Sequence, residues 1–197
     1  MDGLCLLHNR RSCSKRRTIQ RARSLSTVRV MNAFDWGSRS DNEALIYEEA
    51  QRVFSRLRTD FPELKFTFRS LGGKDGSIYC DICRQIRSAD IVVCNLSTYN
   101  PNVILELGLA IGSGAYVFVL RSTHYRRRKG LSDLDGILEY RFSRREGRMR
   151  FAADFTRSFK RKLRSVAAKR MRTLGEKSTR REKGAQLGEK RGTAVSN

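Results

Sequence analysis

Apolar residues along this chain fall into short solid runs and helically spaced stripes, and the two patterns alternate from end to end. Residues 27–33 (Thr-Val-Arg-Val-Met-Asn-Ala) read as a first strand. From Asn42 to about Thr59, Ala44, Leu45, Tyr47, Ala50, Val53, Phe54 and Leu57 make an apolar stripe at helical spacing, with Asp41 or Asn42 as its cap. Residues 65–69 alternate polar and apolar, the period of a strand nearer an edge. Ile78, Ile82 and Ile86 then recur four apart and predict a helix over 78–87. Residues 91–93 are an unbroken β-branched run, which suits a strand covered on both faces. Asn100 and Pro101 read as the cap and first residue of a third helix, ended near Ser113 by Gly112 and Gly114. Residues 115–120 and 137–142 predict two further strands. A last helix over 149–172 carries Phe151, Phe155, Phe159, Leu163 and Val166 on one stripe. Past Gly175 the apolar period lapses, which predicts disorder.

Strands that alternate with helices make a mainly parallel sheet with right-handed crossovers and helices on both faces. The expected fold is therefore α/β, a flavodoxin-like three-layer sandwich around a five-stranded, mainly parallel sheet. The expected boundaries are a basic leader over 1–26, one domain over 27–172 and a basic tail over 173–197, both ends disordered. In such a sheet, ligands bind outside the carboxyl ends of the strands, where the strand order reverses. The loops after the first three strands, 32–40, 70–77 and 95–100, are rich in Gly, Ser and Asn and should open at one rim. The chain has no internal repeat.

Charge sharpens that division. Of a net +21, residues 1–30 hold 8 Lys and Arg against 1 acid, and residues 156–197 hold 14 against 3. The middle is close to balanced, so the ends carry the basicity. Arg126, Arg127, Arg128 and Lys129 add a basic loop, and together these features form an electrostatic footprint for non-specific nucleic acid. Solvated solubility tails account for the same composition. No apolar run approaches the roughly 20 residues that span a bilayer, so no membrane partner is expected. The leader is Arg- and Ser-rich and nearly free of acid, as organellar transit peptides are. A cytoplasmic location is expected, or an organelle matrix if the leader is such a peptide. Five cysteines are an odd number and fit a reduced compartment.

The chemistry narrows by elimination. Cys80 and Cys83 form a C-x-x-C without a second pair, and the two histidines, His8 and His124, lie far apart in sequence. A metal site or a histidine-based triad is therefore not expected. Walker A and G-x-G-x-x-G motifs are both missing. What remains is a carboxylate, Glu106, in the second turn of the helix that starts at Pro101. It stands at the border of a stripe made by Val103, Leu107 and Ala110, with Asn102 one turn earlier on the same flank. A solvated helix carboxylate is the competing reading.

The string from Ser88 through Asn100, Pro101, Asn102, Val103, Glu106, Leu107, Gly108 and Ala110 resembles the signature of the nucleoside 2-deoxyribosyltransferase-like superfamily, especially its TIR-like nucleotide-binding branch. The likeness covers roughly residues 27–145. It implies a protein that binds a nucleoside or nucleotide and cleaves or transfers across an N-glycosidic bond. Glu106 would be the nucleophile, or the stabiliser of positive charge at the anomeric carbon. An ionised carboxylate suits either role. The resemblance further implies ligand contacts from Asn32 and Phe34 after the first strand and from Gly76 and Ser77 after the second. After the third strand, Asn95, Ser97, Asn100 and Asn102 would contribute. Trp36 is a second candidate for stacking on a base. Two positions depart from the pattern: Asn95 stands where relatives often have Asp, and Asn32-Ala33-Phe34 stands where they often have Met-Pro-Phe. The alternatives are a TIR-like NAD glycohydrolase using the same glutamate, and a nucleotide-sensing or nucleic-acid-associated module without turnover. No cofactor or metal is expected, and a homo-oligomer is compatible with a pocket completed by a neighbouring subunit.

Overall fold

The computed structural model describes residues 26–35, 42–72, 78–124, 139–145, 148–151 and 153–192. Five strands pair in parallel: β1 (Thr27–Ala33), β2 (Lys65–Ser70), β3 (Ile91–Asn95), β4 (Tyr116–Ser122) and β5 (Glu139–Arg145). A sixth, β6 (Arg148–Phe151), pairs antiparallel to β5 with Phe142 opposite Phe151. The sheet order is β2-β1-β3-β4-β5-β6, so the order reverses between β1 and β3. Four helices cover the sheet: α1 (Asn42–Asp60), α2 (Ile78–Ser88), α3 (Pro101–Gly112) and α4 (Ala153–Gly192). This is the flavodoxin-like three-layer sandwich that the alternation predicted.

Strand residues alternate between two cores. Val28 and Val30 of β1, Ile91 and Val93 of β3, and Phe118 and Leu120 of β4 join α1 and α4 in one core. Met31 and Ala33, Val92 and Cys94, and Val119 join α2 and α3 in the other. β3 is buried along its whole length, as its unbroken apolar run requires, whereas β2 alternates and lies at the sheet edge. Aromatic rings fasten α4 to the first core. Phe159 stands 5.5 Å from Phe118 and 5.4 Å from Phe155, and Phe155 stands 5.5 Å from Tyr140, centroid to centroid.

Three expectations need correction. Residues 148–151 form a strand, not the start of the last helix. Arg-Met-Arg-Phe alternates with period two and docks on an open sheet edge, and that outweighs the single i, i+4 match between Phe151 and Phe155. The helix itself does not end near Arg172 but runs on to Gly192. Leu174 is the last apolar residue seen packed on the core. Beyond it, Glu, Lys, Arg, Ala and Gln are strong helix formers that extend the helix without apolar periodicity. On α1 the buried stripe runs through Ile46, Ala50, Val53, Phe54 and Leu57, while Ala44 and Tyr47 are exposed; starting the period at Ile46 gives better 3.6-residue spacing. The leader 1–25, the basic loop 126–129 and the tail beyond 192 lie outside the described residues. Among the described residues, no helix is long and apolar enough to cross a membrane.

Candidate functional site at the carboxyl rim

α3 is well specified at both ends. The side chain of Asn100 accepts a hydrogen bond from the Asn102 backbone N–H at 2.8 Å, and Pro101 fills the first helical position. At the other end Gly114 takes φ +73°, its N–H bonding the Ile111 carbonyl at 3.0 Å while Ala115 N–H bonds that of Ala110 at 3.1 Å. That pair of bonds closes the helix and requires a left-handed residue, which glycine adopts without penalty.

Between those ends Val103, Glu106, Leu107 and Ala110 are buried, at i, i+3, i+4 and i+7. Glu106 therefore lies on the buried stripe itself, not at its border. Its exposure is 7%. It makes no hydrogen bond or ion pair to any described residue. Its charge acts on Cys94, the penultimate residue of β3, which places the carboxylate over the carboxyl end of that central strand. Burial pushes the Glu106 carboxyl up to about 7, because the charged form loses water without gaining a partner. The Cys94 thiol is pushed up by burial first and by Glu106 second, so it stays protonated and is not a nucleophile.

The loop between β3 and α3 is held from three sides. Asn95 Oδ1 accepts from the Ser97 N–H at 3.1 Å and from its hydroxyl at 2.6 Å. Ser97 Oγ in turn accepts from the Ser122 N–H of β4 at 2.8 Å. From the β1 side, Asp35 accepts from Thr98 Oγ1 at 3.0 Å and from Asn100 Nδ2 at 2.8 Å, joining the two loops across the reversal point. Tyr99 sits between them at φ +52°, a conformation unfavourable for a residue with Cβ. Its ring is buried, and its hydroxyl accepts from Arg121 Nη1 at 3.2 Å. Arg121 is the largest fully buried side chain, and its Nε stands 2.9 Å from Glu139 Oε2. Although Nε is close to that carboxylate, it lacks hydrogen-bond alignment, so the contact is ionic.

On the other face of the sheet, Asn32 has 0% exposure, and neither polar atom of its carboxamide has a hydrogen-bond partner among the described residues. Leaving such atoms dry costs roughly 1–3 kcal/mol each. By strand alternation Asn32 follows Val28 and Val30 onto the α1 face, and Asn95 follows Ile91 and Val93 onto the same face. Its neighbour in register, Ser70 of β2, bonds Glu43 of α1. Glu106 and Asn32 thus flank the same rim from opposite faces.

Of the residues singled out in the sequence, Glu106, Asn32, Phe34, Asn95, Ser97 and Asn100 all lie at this rim. Asn95 and Ser97 engage their acceptor and hydroxyl in the loop, and Phe34 is buried. The side chain of Asn102 is exposed. Gly76, Ser77 and Trp36 lie outside the described residues. Sequence reasoning missed Asp35, Arg121 and Tyr99. An acid two residues after a strand and a cation closing an apolar run were legible signals for the first two. Tyrosine gives no hint that it will take a left-handed conformation.

Comparison with protein-family models gives no match to this chain, and a search of curated proteins gives none. Among the described residues, no three His, Cys, Asp or Glu side chains converge in a way that would hold a metal ion.

Proposed function

We propose that the protein binds a nucleoside or nucleotide at the carboxyl rim and cleaves or transfers across its N-glycosidic bond, with Glu106 as the reacting carboxylate. One observation carries this reading: a glutamate occupies a buried stripe position of α3, over the end of β3, with no partner among the described residues. A carboxylate left dry and unpaired is destabilising, and such costs are typical of sites kept for chemistry. The resemblance of the 100–110 string to glutamate-dependent deoxyribosyltransferases supplies the reaction class.

In this reading the ligand sits in the crevice between β1 and β3. The N-terminus of α3 turns its positive end toward the rim, favouring a phosphate or a sugar oxygen bearing partial negative charge. As the bond to the base breaks, positive charge grows on the anomeric carbon. An ionised Glu106 then either bonds to that carbon or stabilises it across a short gap. In the dry surroundings of α3 that interaction is stronger than in water. Asp35 holds the two rim loops in register through Thr98 and Asn100. The carboxamide of Asn32, without a partner among the described residues, offers its N–H donors and its carbonyl acceptor to the ligand on the far side of the crevice.

The test is base release from deoxynucleosides and deoxynucleotides and nicotinamide release from NAD, followed by chromatography. Wild-type protein should turn over at least one of these, and Glu106→Gln should lose roughly 10²–10⁴ of the rate. Because the ionised carboxylate is the reacting form, kcat/KM should rise with pH through about 7 and level off above it. A falling limb there would make Glu106 a proton donor. Equal background release by wild type and Glu106→Gln removes the enzyme reading.

A further inference from the structure

The outer face of α4 has no place in the chemistry of the rim. Arg157, Arg161, Arg164, Ala168 and Arg172 recur at i, i+4, i+7, i+11 and i+15, which sets them on one side of the helix. The buried stripe of Phe155, Phe159, Leu163 and Ala167 occupies the opposite side. The four arginines are exposed. Arg164 pairs with Asp60 at 2.6 Å; Arg157, Arg161 and Arg172 have no acidic partner among the described residues. The ridge spans about 22 Å at 1.5 Å per residue.

One flank of the ridge extends its charge. There a groove of about 440 Å³ opens beside the start of β4, lined by Tyr116, Ser158, Arg161, Lys162 and Ser165 among others. Lys162 Nζ stands 3.0 Å from the centre of the half-exposed Tyr116 ring. Along the whole of 153–192 the sequence has 14 Lys and Arg against 4 Asp and Glu. Arg170 bonds Asp90, the residue before β3, so α4 leaves the domain at the amino ends of the strands, opposite the candidate site.

We infer that the outer face of α4 is a docking surface for the phosphate backbone of a nucleic-acid duplex, bound without reading its sequence. A row of guanidinium groups along one side of a helix offers several simultaneous phosphate contacts and releases the counterions held there. An anionic bilayer fits less well, because α4 has already buried its apolar face on the core and has nothing left to insert. A single strand also fits less well. Among the described residues, the outer face of α4 carries no aromatic platform, and of the rings that line the groove beside it Phe118 and Tyr140 are buried and Tyr116 is covered by Lys162. This inference does not depend on Glu106 or on turnover.

The test uses the full chain, a labelled duplex of arbitrary sequence, a single strand of the same length, and vesicles containing phosphatidylserine. The duplex affinity of wild-type protein should fall steeply with salt. The triple variant Arg157→Gln, Arg161→Gln, Arg172→Gln should bind roughly tenfold or more weakly and lose about 3 from the slope of log affinity against log salt. Base release should be unchanged. A second variant with Arg10, Arg11 and Arg16 changed to Gln controls for the basic leader. The inference is overturned if the α4 variant keeps wild-type affinity and slope. It is equally overturned if only the leader variant loses binding, or if vesicles or the single strand bind more tightly than the duplex. Thermal unfolding of the triple variant should match wild type, since its three side chains are exposed and have no acidic partner among the described residues.

Discussion

α3 and α4 pack on opposite faces of the same sheet and treat charge in opposite ways. α4 keeps its buried stripe apolar from Phe155 through Phe159 and Leu163 to Ala167, pairs the buried Arg170 with Asp90, and sends Arg157, Arg161, Arg164 and Arg172 outward. α3 interrupts its stripe with a buried glutamate that has no hydrogen-bond or ion-pair partner among the described residues. The first arrangement is what folding alone would select, and its charge is free to serve as a surface. The second costs stability, so its charge has to be sought in function. A count of charges ranks α4 far above α3, whereas the placement of charge ranks them the other way for chemistry.

If that contrast holds, breaking the α4 stripe should damage the fold and spare the site. Phe159 contacts Phe118 and Phe155 and is fully buried, and truncating it leaves a cavity in the centre of one core. Phe159→Ala should cost about 3–4 kcal/mol of stability, read as a lower midpoint in denaturant at unchanged slope. Base release per folded molecule should stay at the wild-type level. A loss of turnover that exceeds the loss of folded protein would mean that the two faces are coupled and the contrast is false.

Removing the buried charge of α3 should do the reverse. The Glu106 carboxyl lies at about 7 in the folded protein against an ordinary 4.5. Between those values the unfolded chain holds fewer protons than the folded one, so stability from this group is present below about 4.5 and is lost as pH rises through about 7. Glu106→Gln removes that loss. The variant should match wild type at pH 4.5 and exceed it at pH 8 by on the order of 2 kcal/mol, after discounting for water at the rim. A difference that does not grow with pH would show that Glu106 is solvated, as an ordinary surface carboxylate is.

The legibility of these features in the sequence follows the same divide. Elements whose pattern is local were readable: β3 from its β-branched run, α3 from Asn100 and Pro101, the edge position of β2 from its alternation. Glu106 was readable as a candidate because its place in the helix follows from Pro101, yet its depth in the stripe was not. That depth depends on how α3 rolls onto β3 and β4, which no local period determines. β6 was missed because four residues can satisfy a strand period and a helix period at once, and only the open edge of β5 decides between them. Asp35 lay outside the recognised string, and its role appears only when two loops 63 and 65 residues apart in sequence meet.

The smallest expected effect tests how the rim keeps its shape. Asn100 serves two partners: its carbonyl oxygen caps α3 through the Asn102 N–H, and its amide group donates to Asp35. Asn100→Ala loses both and should cost about 1 kcal/mol. Asn100→Asp keeps the cap and also suits the positive end of the helix, but it sets a second carboxylate against Asp35. The aspartate variant should therefore recover most of the stability at pH 4, where carboxyl groups take up protons, and lose it again at pH 8. Its KM should rise at pH 8 while kcat holds, because repulsion opens the two loops without touching Glu106. A kcat that falls with unchanged KM would place Asn100 beside the reacting atoms and not among the residues that position the loops.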